Sequence, residues 1–310
     1  MKKNIIIIWI LFFASVCLVH SEVLGKEPIK TVHKECISFL DTKAEKGVKV
    51  RVSSYNIRYA ASADEKTGNG WDTRKAPLAD LIKSNSFDIV GTQEGNFKQM
   101  EDLKSLLSGY DYIAYPYAGA NANSHTAAIV YKKDKYEVSD QGVFWLSETP
   151  HEQSIGWDAT DTRICTWAKM RDRSSGQEFY FFNAHFYWRY ITAKQNSGPL
   201  MVRTIQEIVK EDIPIICTGD FNSVDSTSQI QAIKKVFKDA YDVTENAPFG
   251  PKDTNLGGGN FQGEPNGRID YIFVNDRVKV VNYIVLSNTY NKGRHPSDHL
   301  AVVCDLILTR

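Results

Sequence analysis

The sequence lacks a net charge, because its 37 lysines and arginines balance its 37 aspartates and glutamates over 310 residues. Proteins dedicated to duplex DNA usually carry a basic surplus, since contacts to phosphates dominate their affinity. The balance therefore argues against polymeric DNA as the obligate substrate, although it leaves room for a local basic patch. Internal repeats, low-complexity tracts and linkers rich in glycine, serine or proline are also missing, which argues against repeat architectures.

Several motifs that carry well-known chemistry are missing as well. The sequence has no HExxH zinc motif, no GxSxG nucleophile motif, no P-loop and no GxGxxG pattern. Gly257-Gly258-Gly259 is not followed by the lysine and the serine or threonine that a phosphate-binding loop needs. These absences exclude the common zinc peptidases, serine hydrolases and nucleotide-binding folds as first explanations.

Cysteine is scarce, with five residues in the chain. None of them has the close spacing of a zinc site. Cys165, Cys217 and Cys304 lie inside apolar, strand-like segments, so we expect small buried hydrophobes, although Cys36 and an export route leave disulfides open.

Only one run of the sequence is long and almost purely apolar, from Ile5 to Val19, and it follows Lys2-Lys3. It is short for a membrane span and typical of an export signal, so we expect residues 1–21 to be a signal peptide cleaved after Ser21. An uncleaved anchor and a lipid-modified Cys17 are the alternatives. No later run predicts stable membrane insertion, and we expect the protein in the periplasm, on the outer surface or in the medium.

Residues 22–47 are polar without a clear period and are predicted to be an N-terminal leader, whereas residues 48–310 fit one large domain. Hydrophobic periodicity predicts strands and helices in alternation and in hairpins. The strands are predicted at 48–53, 87–91, 127–131, 136–146, 163–170, 178–184, 213–217, 268–274, 278–286 and 300–308, and the helices at 71–84, 97–107, 199–209 and 228–237. Strands outnumber helices, so we expect an α/β sandwich of two packed mixed sheets with helices on the outer faces. Residues 246–267 form a long loop of the kind that often carries function.

Polar clusters recur at the tips of the predicted strands. They are Ser54-Tyr55-Asn56, Thr92-Gln93-Glu94, Asn183-Ala184-His185, Gly219-Asp220-Phe221-Asn222, Arg268-Ile269-Asp270 and Ser297-Asp298-His299. The first four clusters follow their strands and the last two precede theirs. If those two groups of strands run antiparallel, all of these side chains gather at one edge of the sandwich.

The residue types in these clusters suit metal-assisted hydrolysis. Carboxylates and amide oxygens are the ligands that Mg²⁺ prefers, with Mn²⁺ or Ca²⁺ as alternatives. Histidine titrates near neutral pH and can transfer a proton, and Asp270 is the candidate to orient one. Taken singly, Asn56 could be a strand cap and Gly219–Asn222 an ordinary turn. His125, His151 and His295 have no partner pattern and are expected at the surface.

The ordered set of motifs resembles the endonuclease/exonuclease/phosphatase superfamily, which includes deoxyribonuclease I, and the resemblance covers residues 48–310. The order is Ser-Tyr-Asn-Ile-Arg, Gln-Glu, Asn-x-His, Gly-Asp-Phe-Asn, Ile-Asp-Tyr and Ser-Asp-His. The segments Phe144–Pro150 and Arg163–Trp167 are similar to secreted bacterial members. The resemblance implies a deoxyribonuclease I-like four-layer α/β sandwich and Mg²⁺-dependent hydrolysis of phosphoesters.

The resemblance also implies roles for single residues. Glu94 would be the main metal ligand, with Asn56 beside it and Asp298 completing the shell. His299 would be the general base oriented by Asp270, and Asp220 would align the attacking water. The phosphate would contact Asn222, His185 and Arg163. His185 would polarise the phosphoryl group or act as an acid, and the guanidinium of Arg163 fits phosphate oxygens.

The chain departs from its relatives at two places. Related bacterial proteins often have an acid where this chain has Ser124-His125-Thr126, and Asp-His where it has Tyr187-Trp188. The second change creates the aromatic segment Phe186–Tyr190 beside the expected site. This segment is either a packed loop or a platform on which a base or a sugar ring stacks.

Three functions remain open on the sequence. The first is an exported metal-dependent phosphodiesterase or phosphatase. The second is a secreted endonuclease or exonuclease, for which nucleic acid is a substrate and not a stable partner. The third, from a different class, is a catalytically inactive protein of the same fold that binds a glycan or a nucleotide. No segment of the sequence predicts a partner protein.

Overall fold

The structure is a computed structural model that describes residues 47–119 and 124–309. The predicted signal peptide, nearly all of the predicted leader and Cys36 lie outside the described residues. Within the described ranges, no helix is both long and apolar enough to cross a membrane.

Alternating and β-branched segments form the strands, and amphipathic segments form the helices that cover them. The strands are β1 Val48–Asn56, β2 Ile89–Asn96, β3 Tyr110–Ile113, β4 His125–Lys132, β5 Tyr136–Trp145, β6 Ile164–Asp172, β7 Glu178–His185, β8 Ile215–Asp220, β9 Lys238–Asp239, β10 Asp270–Val274, β11 Val278–Leu286 and β12 Ala301–Leu308. The helices are α1 Ser62–Lys66, α2 Trp71–Ser84, α3 Phe97–Leu106, α4 Ile191–Ile208, α5 Ser228–Lys234 and α6 Ala240–Val243.

The strands form two mixed sheets of six strands each. The first has the order β11-β12-β1-β2-β4-β3 and the second β5-β6-β7-β8-β10-β9. One apolar cluster, with Val52 and Phe181 among its members, fills the space between the sheets. A second cluster packs α2 and α3 on the first sheet, and a third packs α4 and α5 on the other. This arrangement confirms the predicted four-layer α/β sandwich, in which two packed mixed sheets lie between helices.

A polar layer joins the two sheets directly beneath the strand tips. Gln93 on β2 donates to the Asn183 side-chain oxygen on β7 over 2.7 Å, and the Thr218 hydroxyl on β8 donates to the same oxygen over 3.1 Å. At Gly91, a Cβ atom would lie 2.1 Å from the Thr218 hydroxyl oxygen. Glycine is therefore required here, because any side chain would push the sheets apart.

The helix predicted at 199–209 was wrong in its start, since α4 begins at Ile191 and Pro199 lies inside it. Proline is most common in the first helical turn, which is why the sequence indicated a start there. The true start is stabilised from a distant loop, where the Asp158 carboxylate accepts hydrogen bonds from the backbone N–H groups of Thr192 and Ala193. This long-range cap satisfies amides that a local cap would otherwise serve.

The three cysteines of the described chain behave as small hydrophobes. Cys165, Cys217 and Cys304 are buried and free. Burial raises the pKa of each thiol above its ordinary value. They are therefore protonated and unreactive, as expected from their apolar segments.

Candidate active site at the shared edge of the sheets

The strand directions bring the polar clusters to one edge of the sandwich. Asn56 is the last residue of β1, which runs antiparallel to β12, so the segment before Ala301 lies beside it. In the second sheet, Asp220 at the end of β8 pairs with Asp270 at the start of β10. The parallel pairing of β7 and β8 places His185 opposite Asp220 as well. The convergence predicted from strand alternation is therefore what the structure contains.

Asn56 links the two halves of this edge. Its side chain is fully buried, and its Nδ2 donates to Glu94 Oε1 over 3.1 Å and to Asp220 Oδ2 over 3.0 Å. Its Oδ1 accepts from the backbone N–H of Arg58 over 3.0 Å. The amide nitrogen, and not the oxygen, thus faces the carboxylates. In this orientation Asn56 positions two acids, and the predicted ligand role would require the amide to turn over and give up the Arg58 contact.

Glu94 owes its position to an irregularity in β2. The pairing of β2 with β4 shifts register between Gln93 and Asn96, and Glu94 has a φ of 69°. Such bulges re-aim side chains beside functional sites. Burial acts to raise the pKa of Glu94, but His299, the bond from Asn56, Arg58 and the backbone N–H of Tyr59 together hold it below its ordinary value. Glu94 is therefore ionised and negatively charged at neutral pH.

A histidine–aspartate pair lies on the other side of Asn56. Asp270 Oδ2 is 2.9 Å from His299 Nδ1 and accepts from the Thr254 hydroxyl over 2.6 Å, while Asp270 Oδ1 is buried without a partner. His299 Nε2 lies 3.8 Å from Asp220 Oδ2. Burial acts to lower the pKa of His299, but Asp270 and Asp220 raise it well above its ordinary value. The ring is thus held in one orientation with Nε2 directed at Asp220.

The carboxylates of this edge lie close together, and the positively charged side chains around them do not balance all of their negative charge. Burial and repulsion from Asp270 raise the pKa of Asp220 from 3.8 to about 7. Burial also raises the pKa of Asp298, with a further contribution from Glu94. Acids whose charge is disfavoured in this way are stabilised by a cation placed among them.

The long loop 246–267, whose length made it a candidate for function, lies against this edge. The backbone N–H of Gly259 donates to Asp298 Oδ2 over 2.7 Å, and Arg58 Nη1 lies 3.6 Å from the same oxygen. The backbone N–H of Leu256 donates to the carbonyl oxygen of Asp298 over 2.9 Å. The loop therefore holds Asp298 in place beside Glu94.

The donor set fits a hard divalent cation. Asp220, Asp270 and His299 form the one group of acid and histidine side chains, among the described residues, whose ligand atoms lie within 4.8 Å of one another. That group differs from the predicted ligands Asn56, Glu94 and Asp298, and two of its members already bond each other as the His299–Asp270 pair. The carboxylates of Glu94 and Asp298 retain unused lone pairs, and oxygen donors of this type are the ones Mg²⁺ binds.

His185 stands at the centre of a second cluster. Its Nδ1 lies 2.6 Å from the Tyr117 hydroxyl, and Arg163 Nη1 lies 3.1 Å from Nδ1 and 3.2 Å from Nε2. Asn222 Nδ2 lies 3.1 Å from Nε2 and donates to the Phe186 carbonyl over 3.0 Å. Burial and the nearby Arg163 lower the pKa of His185 far below its ordinary value. His185 is therefore neutral, which favours polarisation of a phosphoryl group over action as an acid.

The aromatic segment 186–190 was expected to be either a packed loop or a stacking platform, and its residues differ in this respect. Tyr187 is buried, its hydroxyl lies 3.0 Å from the Thr160 hydroxyl, and its ring packs beside the Arg163 guanidinium. It forms a packed loop and cannot stack on a ligand as it stands. Trp188 is 56% exposed and Tyr190 38% exposed, and the Arg189 guanidinium lies 5.9 Å and 5.0 Å from the centres of their rings.

Two of the three histidines expected at the surface are not there. His295 is buried, and its Nδ1 lies 3.1 Å from the Asn288 carbonyl oxygen. His125 is half-buried, with its ring 4.7 Å from that of Tyr59. The backbone N–H of His295 also donates to the Phe261 carbonyl over 2.8 Å. Tyr59 and Phe261 both belong to distant segments, so the local pattern contained no sign of these contacts. His151 is exposed as expected.

Sequence reasoning missed several residues that shape this edge. Arg58, Thr254, Gly259 and Tyr117 all contact one of the clusters described above. Arg58 belongs to the Ser-Tyr-Asn-Ile-Arg motif, and Thr254 and Gly259 belong to the long loop. Both segments stand out in the sequence pattern, so these three residues could have been found from the sequence. Tyr117 precedes β4 in an irregular segment and carried no such signal.

The chain resembles known proteins over most of its length. A sequence profile described as the Endonuclease/Exonuclease/phosphatase family matches residues 53–299. The structure superposes on a mannosyl-6-phosphatase of Bacteroides thetaiotaomicron VPI-5482 with a TM-score of 0.78 and 34% identity, covering 84% of this chain and 100% of that one. A protein of Bacteroides vulgatus with the same family description has 35% identity and a TM-score of 0.78, with 84% and 99% covered.

A more distant similarity involves a nucleic-acid enzyme. An RNA exonuclease of Saccharomyces cerevisiae is 21% identical over 176 residues, which cover 46% of this chain and 48% of that protein. The match therefore spans about half the length of that relative.

Proposed function

The chain belongs to the endonuclease/exonuclease/phosphatase family, and we propose that it is an exported, divalent-metal-dependent phosphatase of phosphorylated sugars. The single observation that carries the hydrolytic part is the bridge through Asn56, which joins Glu94 to Asp220 across the two sheets. It sets a carboxylate cluster beside the His299–Asp270 pair. A cation site next to a positioned base is what phosphoester hydrolysis requires.

Each residue of the edge has a role in this proposal. When bound, Mg²⁺ supplies Lewis-acid charge that offsets the charge developing on the phosphoryl oxygens. Glu94 and Asp298 hold the cation, and Asn56 holds Glu94 in place. Once a cation offsets the charge of the carboxylates around it, His299 would be neutral and would take a proton from the attacking water at Nε2. Asp270 would stabilise the resulting imidazolium, and Asp220 would align the water.

The phosphoryl group binds on the other side of Asp220. Arg163 is buried at this point and its Nε has no hydrogen-bond partner. An unpartnered buried guanidinium N–H is costly, and a phosphate oxygen would satisfy it. Neutral His185 and the Asn222 amide supply further donors to the phosphoryl oxygens as charge builds on them.

The sugar part of the proposal has two supports. A mannosyl-6-phosphatase is 34% identical to this chain and is covered over its whole length. The exposed Trp188, three residues after His185 in the chain, offers an aromatic ring on which a sugar can pack. The chain also lacks the net positive charge of a dedicated nucleic-acid binder.

A panel of phosphate esters tests the proposal. The purified protein is incubated with mannose 6-phosphate, p-nitrophenyl phosphate, bis-(p-nitrophenyl) phosphate, RNA and plasmid DNA, with Mg²⁺ or with EDTA. We expect release of inorganic phosphate from the monoesters, only with the metal present, and loss of turnover in Glu94→Ala and in His299→Ala. Cleavage of nucleic acid without monoester turnover would identify a nuclease. Saturable ligand binding without any turnover would identify a binding protein.

Trp188→Ala examines the sugar contact. We expect KM for mannose 6-phosphate to rise about tenfold, which corresponds to the lower part of the range of about 1–3 kcal/mol found for bases on aromatic rings, while p-nitrophenyl phosphate is affected less. Phe249→Ala is the matched control, since Phe249 is 47% exposed beside the edge strand β11. Equal effects of both substitutions would exclude a sugar platform at Trp188.

Export is proposed from the first 21 residues, whose composition is typical of a cleaved signal. N-terminal sequencing of the protein recovered from the periplasm, the cell surface and the medium tests it. We expect a mature chain that begins at Glu22. A chain that retains Met1 in the cytoplasmic fraction would exclude export.

A further inference from the structure

Tyr117 lies between the two clusters of the active-site edge and is fixed on every side. Its ring is buried, its backbone N–H donates to the His125 carbonyl over 2.8 Å, and its own carbonyl accepts from Trp145 Nε1 over 3.1 Å. Its hydroxyl reaches across to the second sheet, where it lies 2.6 Å from His185 Nδ1. A contact this short between two immobile side chains constrains the orientation of the imidazole.

The partners of His185 Nδ1 decide which nitrogen carries the ring proton. Arg163 Nη1 can only donate, but it lies 3.1 Å from Nδ1 and 3.2 Å from Nε2, so it does not distinguish the two nitrogens. A phenol keeps its proton at neutral pH, and the Tyr117 hydroxyl oxygen accepts a hydrogen bond from the backbone of Glu94. Its O–H group therefore donates to Nδ1 over 2.6 Å. With the phenol donating to Nδ1, that nitrogen is the acceptor and the proton is on Nε2.

The opposite nitrogen points into the site. His185 Nε2 lies 3.4 Å from Asp220 Oδ2, which is the acceptor available to an Nε2–H group there. Asn222 Nδ2 lies 3.1 Å from Nε2, and one of its two N–H groups donates to the Phe186 carbonyl, so the other is left for the phosphoryl group. The Nε2–H group thus faces the space between Asp220 and Arg163, where the proposed phosphoryl group binds.

We propose that Tyr117 is a positioning residue that holds His185 in the Nε2–H tautomer, so that His185 presents a donor to the phosphoryl oxygens. The catalytic part of this inference rests on the proposed function, whereas the tautomer does not. Tyr117 supplies the support that the chain lacks after the Asn-x-His motif, where Tyr187-Trp188 stands. A phenol differs from a carboxylate here because it fixes the ring without favouring a positive charge on it.

Tyr117→Phe tests the inference, because it removes the hydroxyl and keeps the ring. Selective ¹⁵N labelling of histidine and two-bond ¹H–¹⁵N correlations report the tautomer of His185, whose signals are assigned from their loss in His185→Gln. We expect the Nε2–H tautomer in the unmodified protein and a mixture of tautomers in Tyr117→Phe. An Nδ1–H tautomer in the unmodified protein would overturn the inference, and so would an unchanged tautomer in Tyr117→Phe.

Kinetics give an independent readout. We expect kcat of Tyr117→Phe to fall about 10- to 100-fold with KM nearly unchanged, in the range seen when a residue that orients a functional histidine is lost. In a His185→Gln background the same substitution should cost nothing further, because the two residues act as a unit. An equal loss in both backgrounds would mean that Tyr117 is only structural, and would overturn the proposal.

Tyr110→Phe is the matched control. Tyr110 is also buried, but its hydroxyl donates to the Phe87 carbonyl, away from the polar clusters. We expect this variant to keep both the His185 tautomer and kcat. If no phosphate ester is turned over at all, the proposed function fails, and the tautomer measurement still decides the role of Tyr117.

Discussion

Replacing Asn56 with aspartate changes the centre of the active-site edge without changing its shape. The amide nitrogen that now donates to Glu94 over 3.1 Å and to Asp220 over 3.0 Å becomes a carboxylate oxygen. Two attractive contacts are thereby turned into two repulsive ones in a fully buried position.

The magnitude follows from those two contacts. A hydrogen bond to a charged group contributes about 1.5–3 kcal/mol, so the loss of both lowers the free energy of unfolding of Asn56→Asp by about 3–6 kcal/mol in the presence of a chelator. A divalent cation reverses the sign of the effect, since the added carboxylate is one more oxygen donor beside Glu94. We therefore expect Mg²⁺ to stabilise Asn56→Asp more than it stabilises the unmodified protein.

Urea unfolding with EDTA and with Mg²⁺ measures both effects. Asn282→Asp is the matched control, because Asn282 Nδ2 donates to Asp305 Oδ2 over 2.8 Å in a part of β11 where no cation is proposed. It should lose stability in EDTA and gain nothing from Mg²⁺. The reasoning is refuted if Asn56→Asp is as stable as the unmodified protein in EDTA, or if Mg²⁺ acts equally on both variants.

Three further predictions concern the same edge. Gly91→Ala should lower the free energy of unfolding by about 1–3 kcal/mol in urea titrations, because its Cβ would lie 2.1 Å from the Thr218 hydroxyl oxygen and 2.5 Å from Asn183 Oδ1. Unchanged stability would show that the two sheets can move apart to accept a methyl group without cost. His299→Gln should lower kcat about 10²- to 10⁴-fold in steady-state kinetics and leave the stabilisation by Mg²⁺ intact in thermal melts. If the variant loses both its activity and its stabilisation by Mg²⁺, His299 is a metal ligand instead. The pKa of Asp220 is raised from 3.8 to about 7, so the folded protein holds a proton that the unfolded chain releases, and the free energy of unfolding in EDTA should fall as the pH rises from about 4 to 7. Asp220→Asn should abolish this trend, and a trend that persists in the variant would assign it to another group.

The sequence predicted the part of the molecule that depends on short-range pattern. Alternation placed most strands within a few residues of their observed bounds, and polar residues at the strand tips indicated a common edge. That inference worked because side-chain direction in a strand follows from position alone, and the pairing of β1 with β12 and of β8 with β10 is antiparallel.

The parts that failed depend on contacts between distant segments. The start of α4 is set by Asp158, which lies in another loop. The orientation of the Asn56 amide is set by Glu94 and Asp220, and the backbone N–H of His295 donates to the Phe261 carbonyl. No local period carries such information, because each contact exists only after the chain has folded.

Binding of Mn²⁺, followed by electron paramagnetic resonance of the free ion, tests the central claim most directly. We expect the unmodified protein to remove Mn²⁺ from solution stoichiometrically and Glu94→Gln to bind it at least tenfold more weakly, because one charged oxygen ligand is lost. Lys98→Gln, a change at an exposed residue on α3, should bind Mn²⁺ as the unmodified protein does. Equal affinity of Glu94→Gln and the unmodified protein would contradict the account, since no cation would then be held at the shared edge of the sheets by Glu94.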